Sequence, residues 1–143
     1  MRDAPPSSRP WTVTALSVFF ALGATISGLS FIALMFPGGL LEPMWRLNPR
    51  AREQFAWMGG WAMLLMAVVS VLCASTARGL WRGSRFGFVL GVTMLLVSLL
   101  GDLANAVLGI EPRAWVGVPI AALLLVVLAT RRSRAFFTGV RQR

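Results

Sequence analysis

WTVTALSVFFALGATISGLSFIALMF, residues Trp11–Phe36, runs for twenty-six residues without one charged side chain. As a helix it would be about 39 Å long, more than the ~30 Å hydrocarbon core of a bilayer. Pro37-Gly38-Gly39 follows directly and predicts the helix end. A basic start before an apolar run also suits a secretory signal, but a signal's apolar region is only about 7–15 residues long. The length favours a retained first span.

Three further runs repeat the pattern. Gln54–Ala77 is charge-free over twenty-four residues, Phe86–Ile110 is interrupted only by Asp102, and Ala114–Thr130 is a shorter run containing Pro119. The expected fold is all-α, an integral membrane four-helix bundle in a single domain over residues 1–143. Its spans lie at about 11–36, 56–77, 86–108 and 114–130, and a basic amphipathic tail covers 131–143. Apolar residues make up 57% of the chain and charged residues 13%, against about 25% charged in an ordinary soluble domain. The mean hydropathy is +0.72. So few charges cannot coat a water-facing surface.

The charges that remain are nearly all arginine: fourteen Arg, no Lys and five acids, for a formal +9. Such a balance can mark a nucleic-acid binder, but that requires the Arg on a folded polar face. Here they sit at the ends of apolar runs, where they orient spans and meet anionic headgroups. No nucleic-acid partner is expected. Two Arg in the N-terminal lead, three at Arg78, Arg82 and Arg85, and five in the tail make ten on one side, against four in the first and third loops. The positive-inside rule then predicts both termini in the cytoplasm. Trp11 and Trp81 fall at the inner interface, and Trp57 and Trp115 near the outer one. The absence of Lys beside abundant Ala, Gly and Arg suggests a GC-rich bacterial genome, hence a bacterial inner membrane.

The first loop, Leu40–Phe55 (LLEPMWRLNPRAREQF), mixes Pro43, Pro49, three Arg and two Glu with Leu40, Leu41, Met44, Trp45 and Leu47. That is too apolar for a solvated loop, and the expectation is an interfacial segment with its Leu and Trp in the headgroup region. Between the second and third runs, Gly79 and Gly83 are expected to break a short basic turn.

The third run carries the most informative residues. On a helix, Gly87, Gly91, Ser98, Asp102, Asn105 and Gly109 share a sector of roughly 60°, opposite Phe88, Val89, Val92, Leu96, Val97 and Leu100. The small and polar stripe is expected to face other helices, with Gly87 and Gly91 (a GxxxG) allowing close packing. Asp102 is the one acidic or basic residue of the Asp, Glu, Lys and Arg kind inside a span, at a cost of about 2.5–3.5 kcal/mol on insertion scales. Ser98, Asp102 and Asn105 therefore form a candidate polar intramembrane site. Asp102 falls about 24 Å along the helix, near the outer interface. Two readings stay open: an ion pair with Arg46, Arg50, Arg52 or Arg113, or a group that handles protons, ions or a ligand.

Hydroxyls along the first run are expected to bond back to the preceding turn, and Pro119 to bend the fourth helix and free the Trp115 carbonyl. In the tail, Arg131, Arg132 and Arg134 beside Phe136 and Phe137 suit anionic-lipid binding, with a plain stop-transfer signal as the alternative. Neither His nor Tyr occurs, and the single Cys73 lies inside an apolar run. No catalytic set, metal site or cofactor is expected.

The stretches LEPMWRLNPRAREQFAWMG and ARGLWRGSRFGFVLG…LLGDLANAVLG resemble uncharacterised small four-helix membrane proteins of bacteria, through W-R-L-N-P, L-W-R-G and G-D-L-x-N over roughly Leu41–Gly109. The resemblance implies the topology and brings no activity. The expected function is that of a non-enzymatic inner-membrane protein, an accessory, lipid- or partner-binding bundle. Its expected partners are anionic lipid headgroups, with a homo-oligomer or a larger membrane complex as the assembly. The alternative is a small oligomeric transporter or channel using Asp102 and Asn105.

Overall fold

The computed structural model describes residues 10–109 and 114–130, and every regular element among them is helical. In order they are α1 (Trp11–Met35), a 3₁₀ helix (Glu42–Leu47), α2 (Pro49–Met58), α3 (Gly60–Trp81), α4 (Arg85–Val107) and α5 (Ala114–Ala129). Helices α1, α3 and α4, at 25, 22 and 23 residues, are long and apolar enough to cross a membrane. The sixteen residues of α5 are equally apolar but measure only about 24 Å. Arg113 and the tail residues Arg131, Arg132, Arg134, Phe136 and Phe137 lie outside the described residues.

Two element boundaries differ from expectation. The second apolar run was expected to form one helix from about residue 56, but the chain breaks at Gly59, whose φ of +57° and ψ of −133° favour glycine. α2 therefore belongs to the first loop, and α3 starts afresh at Gly60. Asn48 caps α2, its Oδ1 accepting the Ala51 N–H at 3.3 Å, and Pro49 occupies the first turn, where its missing N–H costs nothing. At the other end α3 continues through Gly79, which was expected to break it. The turn itself is only Arg82, Gly83 and Ser84.

That turn is fully specified by its hydrogen bonds. Ser84 N–H donates to the Gly79 carbonyl at 2.8 Å and Gly83 N–H to the Leu80 carbonyl at 3.1 Å, the bond pair of a Schellman motif. Gly83 supplies the left-handed residue, with φ +69°. Ser84 then caps the next helix, its Oγ accepting the Gly87 N–H at 3.1 Å. One residue thus closes α3 and opens α4.

By internal contacts the chain falls into two units, Met1–Phe19 with Thr76–Arg143, and Phe20–Ser75. In the first, Val13, Leu16, Thr76, Leu80 and Leu128 are fully enclosed, and α4 packs along α5. Gly79 and Gly87 touch there backbone to backbone: a Cβ added at Gly79 would lie 2.6 Å from the Gly87 Cα. In the second unit, the Ser70 hydroxyl of α3 donates to the Ala24 carbonyl of α1 at 2.9 Å, and Gly28 and Gly23 leave room for Ser70 and Cys73. Ser17 and Thr25 bond back to the carbonyls of Val13 and Ala21.

The first loop folds into a compact cap, its 3₁₀ helix packing on α2. Trp45, expected among headgroups, is buried with its ring edge-on to Phe55 at 5.8 Å between centroids. Glu42 pins the cap from both oxygens, pairing with Arg52 through one and accepting the Gly38 N–H at 3.2 Å through the other. Leu40, Leu47 and Trp57 remain 100%, 84% and 89% exposed.

Candidate functional site

In the far half of α4 one polar residue, Asp102, meets α5. Asp102, five turns into the helix, is half-buried, as is Asn105, with Ala106 beside them fully packed. Across from Asp102 stands Gly117, where an added Cβ would meet the Asp102 carboxyl carbon at 2.7 Å. The carboxylate therefore occupies the volume a side chain would take on α5. Two residues on, Pro119 lies inside α5 and lacks the N–H that would bond the Trp115 carbonyl. The Asp102 carboxyl thus packs against a helix that already has one backbone acceptor in excess.

Ser98 departs from the expected stripe: it is exposed, and Leu95 takes the buried position. The buried line on α4 runs Gly87, Gly91, Leu95, Ala106. It steps by fours from Gly87 to Leu95 before reaching Ala106, and so slants around the helix, as expected when a packed neighbour crosses at an angle along an i±4 ridge. A straight sector drawn from the sequence ignores that slant.

The expected cationic partners of Asp102 divide. Arg52 is engaged by Glu42, and with Arg46 it lines an open pocket of about 330 Å³ together with Glu42, Pro43, Trp45 and Pro49. Arg46, Arg50 and Arg52 all belong to the unit that does not contain Asp102. Among the described residues no ion pair reaches Asp102. Sequence reasoning missed both the Gly117 contact and the Glu42–Arg52 pair. The first had a signal in a glycine two residues before an in-helix proline, and the second in two charges set among prolines ten residues apart.

Chemically, the α4–α5 site can accept hydrogen bonds or hold a proton or a cation. Among the described residues no group of three or more Cys, Asp or Glu could hold a metal ion. Comparison of the chain with family models, curated proteins and solved structures finds no match.

Proposed function

We propose that this chain is a polytopic integral membrane protein with no catalytic role, a bundle of four spans with both termini cytoplasmic. In this reading it serves a bacterial inner membrane as an accessory component that binds lipid or a protein partner. The supporting observation is the pairing of length with outward apolarity. α1, α3 and α4 are long enough to span, and each leaves large apolar side chains exposed, among them Leu22 and Ile26, Leu64 and Val71, and Val97 and Leu100. At roughly 25 cal/mol per Å² of apolar surface, water is a costly solvent for those faces and lipid is not. The arginine bias supports the orientation, and the exposed Leu40, Leu47 and Trp57 support an interfacial cap. α5 is short for a fourth span, which calls for local thinning of the bilayer or for flanking residues to complete it.

Alkaline-phosphatase fusions after Arg82 and Arg143 are expected to be inactive and one after Arg50 active. The reverse pattern overturns the orientation, and release of the protein by carbonate washing overturns membrane integration altogether.

A second reading, an oligomeric transporter or channel, is favoured by the half-buried Asp102 carboxylate against the proline-interrupted α5. Under it, Asp102→Asn abolishes cation- or proton-driven flux in proteoliposomes while leaving the protein folded. Unchanged or absent flux in both proteins removes this reading.

A further inference from the structure

The α3–α4 turn gathers positive charge that no ion pair among the described residues neutralises. Arg78 and Arg82 stand four residues apart and so share a face, while Arg85 opens α4 three residues later. All three side chains are exposed, and none has an ion-pair partner among the described residues. No Asp or Glu occurs between Glu53 and Asp102, and Asp102 lies about 26 Å along α4 from Arg85.

Three features turn this cluster into more than a charged loop. The Schellman bonds, the Ser84 cap and the Gly79–Gly87 contact fix the two helix ends that carry the arginines, so their spacing is set before any ligand arrives. The Gly87 N–H is taken by the Ser84 Oγ, while those of Arg85 and Phe86 have no acceptor within α4, and the helix dipole adds positive potential at the same end. Trp81 and Phe86, at 51% and 70% exposure, flank the arginines with apolar surface. A guanidinium recognises a phosphate through paired N–H donors, and an aromatic ring at that depth lies beside glycerol and upper acyl chain.

We propose that the α3–α4 turn is a binding site for the phosphate headgroup of an anionic phospholipid, with Arg78, Arg82 and Arg85 as ligands and Trp81 and Phe86 against the lipid body. The proposal rests on the membrane reading given above and adds the lipid class and the site. An acidic protein segment carries the same charge but lacks the acyl chains that Trp81 and Phe86 would cover.

Titration of phosphatidylglycerol and of phosphatidylcholine into the full chain in detergent, followed by native mass spectrometry, tests the site. The wild-type chain is expected to prefer phosphatidylglycerol by about a hundredfold, the scale of three arginines near a surface. The triple variant Arg78→Gln, Arg82→Gln, Arg85→Gln is expected to lose that preference while keeping its helical content and Tm. The double variant Arg46→Gln, Arg50→Gln is expected to keep it. Equal binding of the two lipids, equal loss in both variants, or displacement of the lipid by equimolar inorganic phosphate overturns the proposal. A chain that stays in carbonate-washed membranes yet shows no lipid preference defeats this site alone, whereas a chain released by carbonate defeats the membrane reading first.

Discussion

The two ends of α4 each bring a second helix close through a glycine, and they do so with opposite chemistry. At the Arg85 end, Gly87 meets Gly79 and the space a side chain would need is filled by backbone. At the Val107 end, Gly117 faces Asp102 and the space is filled by the tip of a carboxylate. Backbone held by two capped helices cannot retreat, while a side chain can change rotamer. The first contact fixes geometry, and the second leaves a titratable group at an adjustable joint.

Gly87→Ala should therefore have the largest effect. Its Cβ would fall within 2.6 Å of the Leu80 nitrogen as well as against Gly79, and no rotamer relieves a clash with backbone. A loss of about 3 kcal/mol, the upper range for overpacking, is expected in denaturation of the detergent-solubilised chain. A loss below about 1 kcal/mol would show that the two helix ends can part cheaply.

Gly83→Ala comes next. It imposes a Cβ on φ +69° at about 1–2 kcal/mol, and Gly83→Asn should recover part of that loss because Asn tolerates this conformation better. If both variants match wild type in Tm, the Schellman turn is not what holds the hairpin.

Gly117→Ala is expected to cost about 1 kcal/mol, because the carboxylate can swing aside. The double variant Gly117→Ala, Asp102→Ala should then cost less than the sum of the two single changes, and the thermodynamic cycle reads that coupling directly. Strict additivity would mean that the two groups do not meet.

The smallest effect is expected from Asp102→Asn, which keeps the shape that fills the Gly117 notch. A change within about 0.5 kcal/mol of wild type in the same denaturation assay fits a carboxylate without a cationic partner. A loss of several kcal/mol would instead reveal a buried ion pair.

The long apolar helices were plain, because a charge-free run of that length has few other outcomes, and Pro37 marks where α1 gives way. Asp102 was legible because one charge in a greasy run stands out. The glycines were not. Gly59 sits in an apolar stretch and Gly79 between Arg78 and Leu80 at the edge of a basic turn, yet the first breaks a helix and the second continues it. The difference lies in a partner, Gly87, that a local reading does not weigh. Leu95 holds the buried place expected of Ser98 for a related reason, since helix crossing slants the buried line. The cap around Trp45 was hidden because its closure depends on Glu42 reaching Arg52 across two prolines, a tertiary pairing with no periodic signature.

Cys73, packed beside Gly23 in the Phe20–Ser75 unit, is the only thiol in the chain. Buried against α1, it is expected to react with a membrane-permeant alkylating reagent only when α1 and α3 draw apart there. The rate of that labelling is therefore a built-in clock for helix separation, readable in native membranes with no substitution at all.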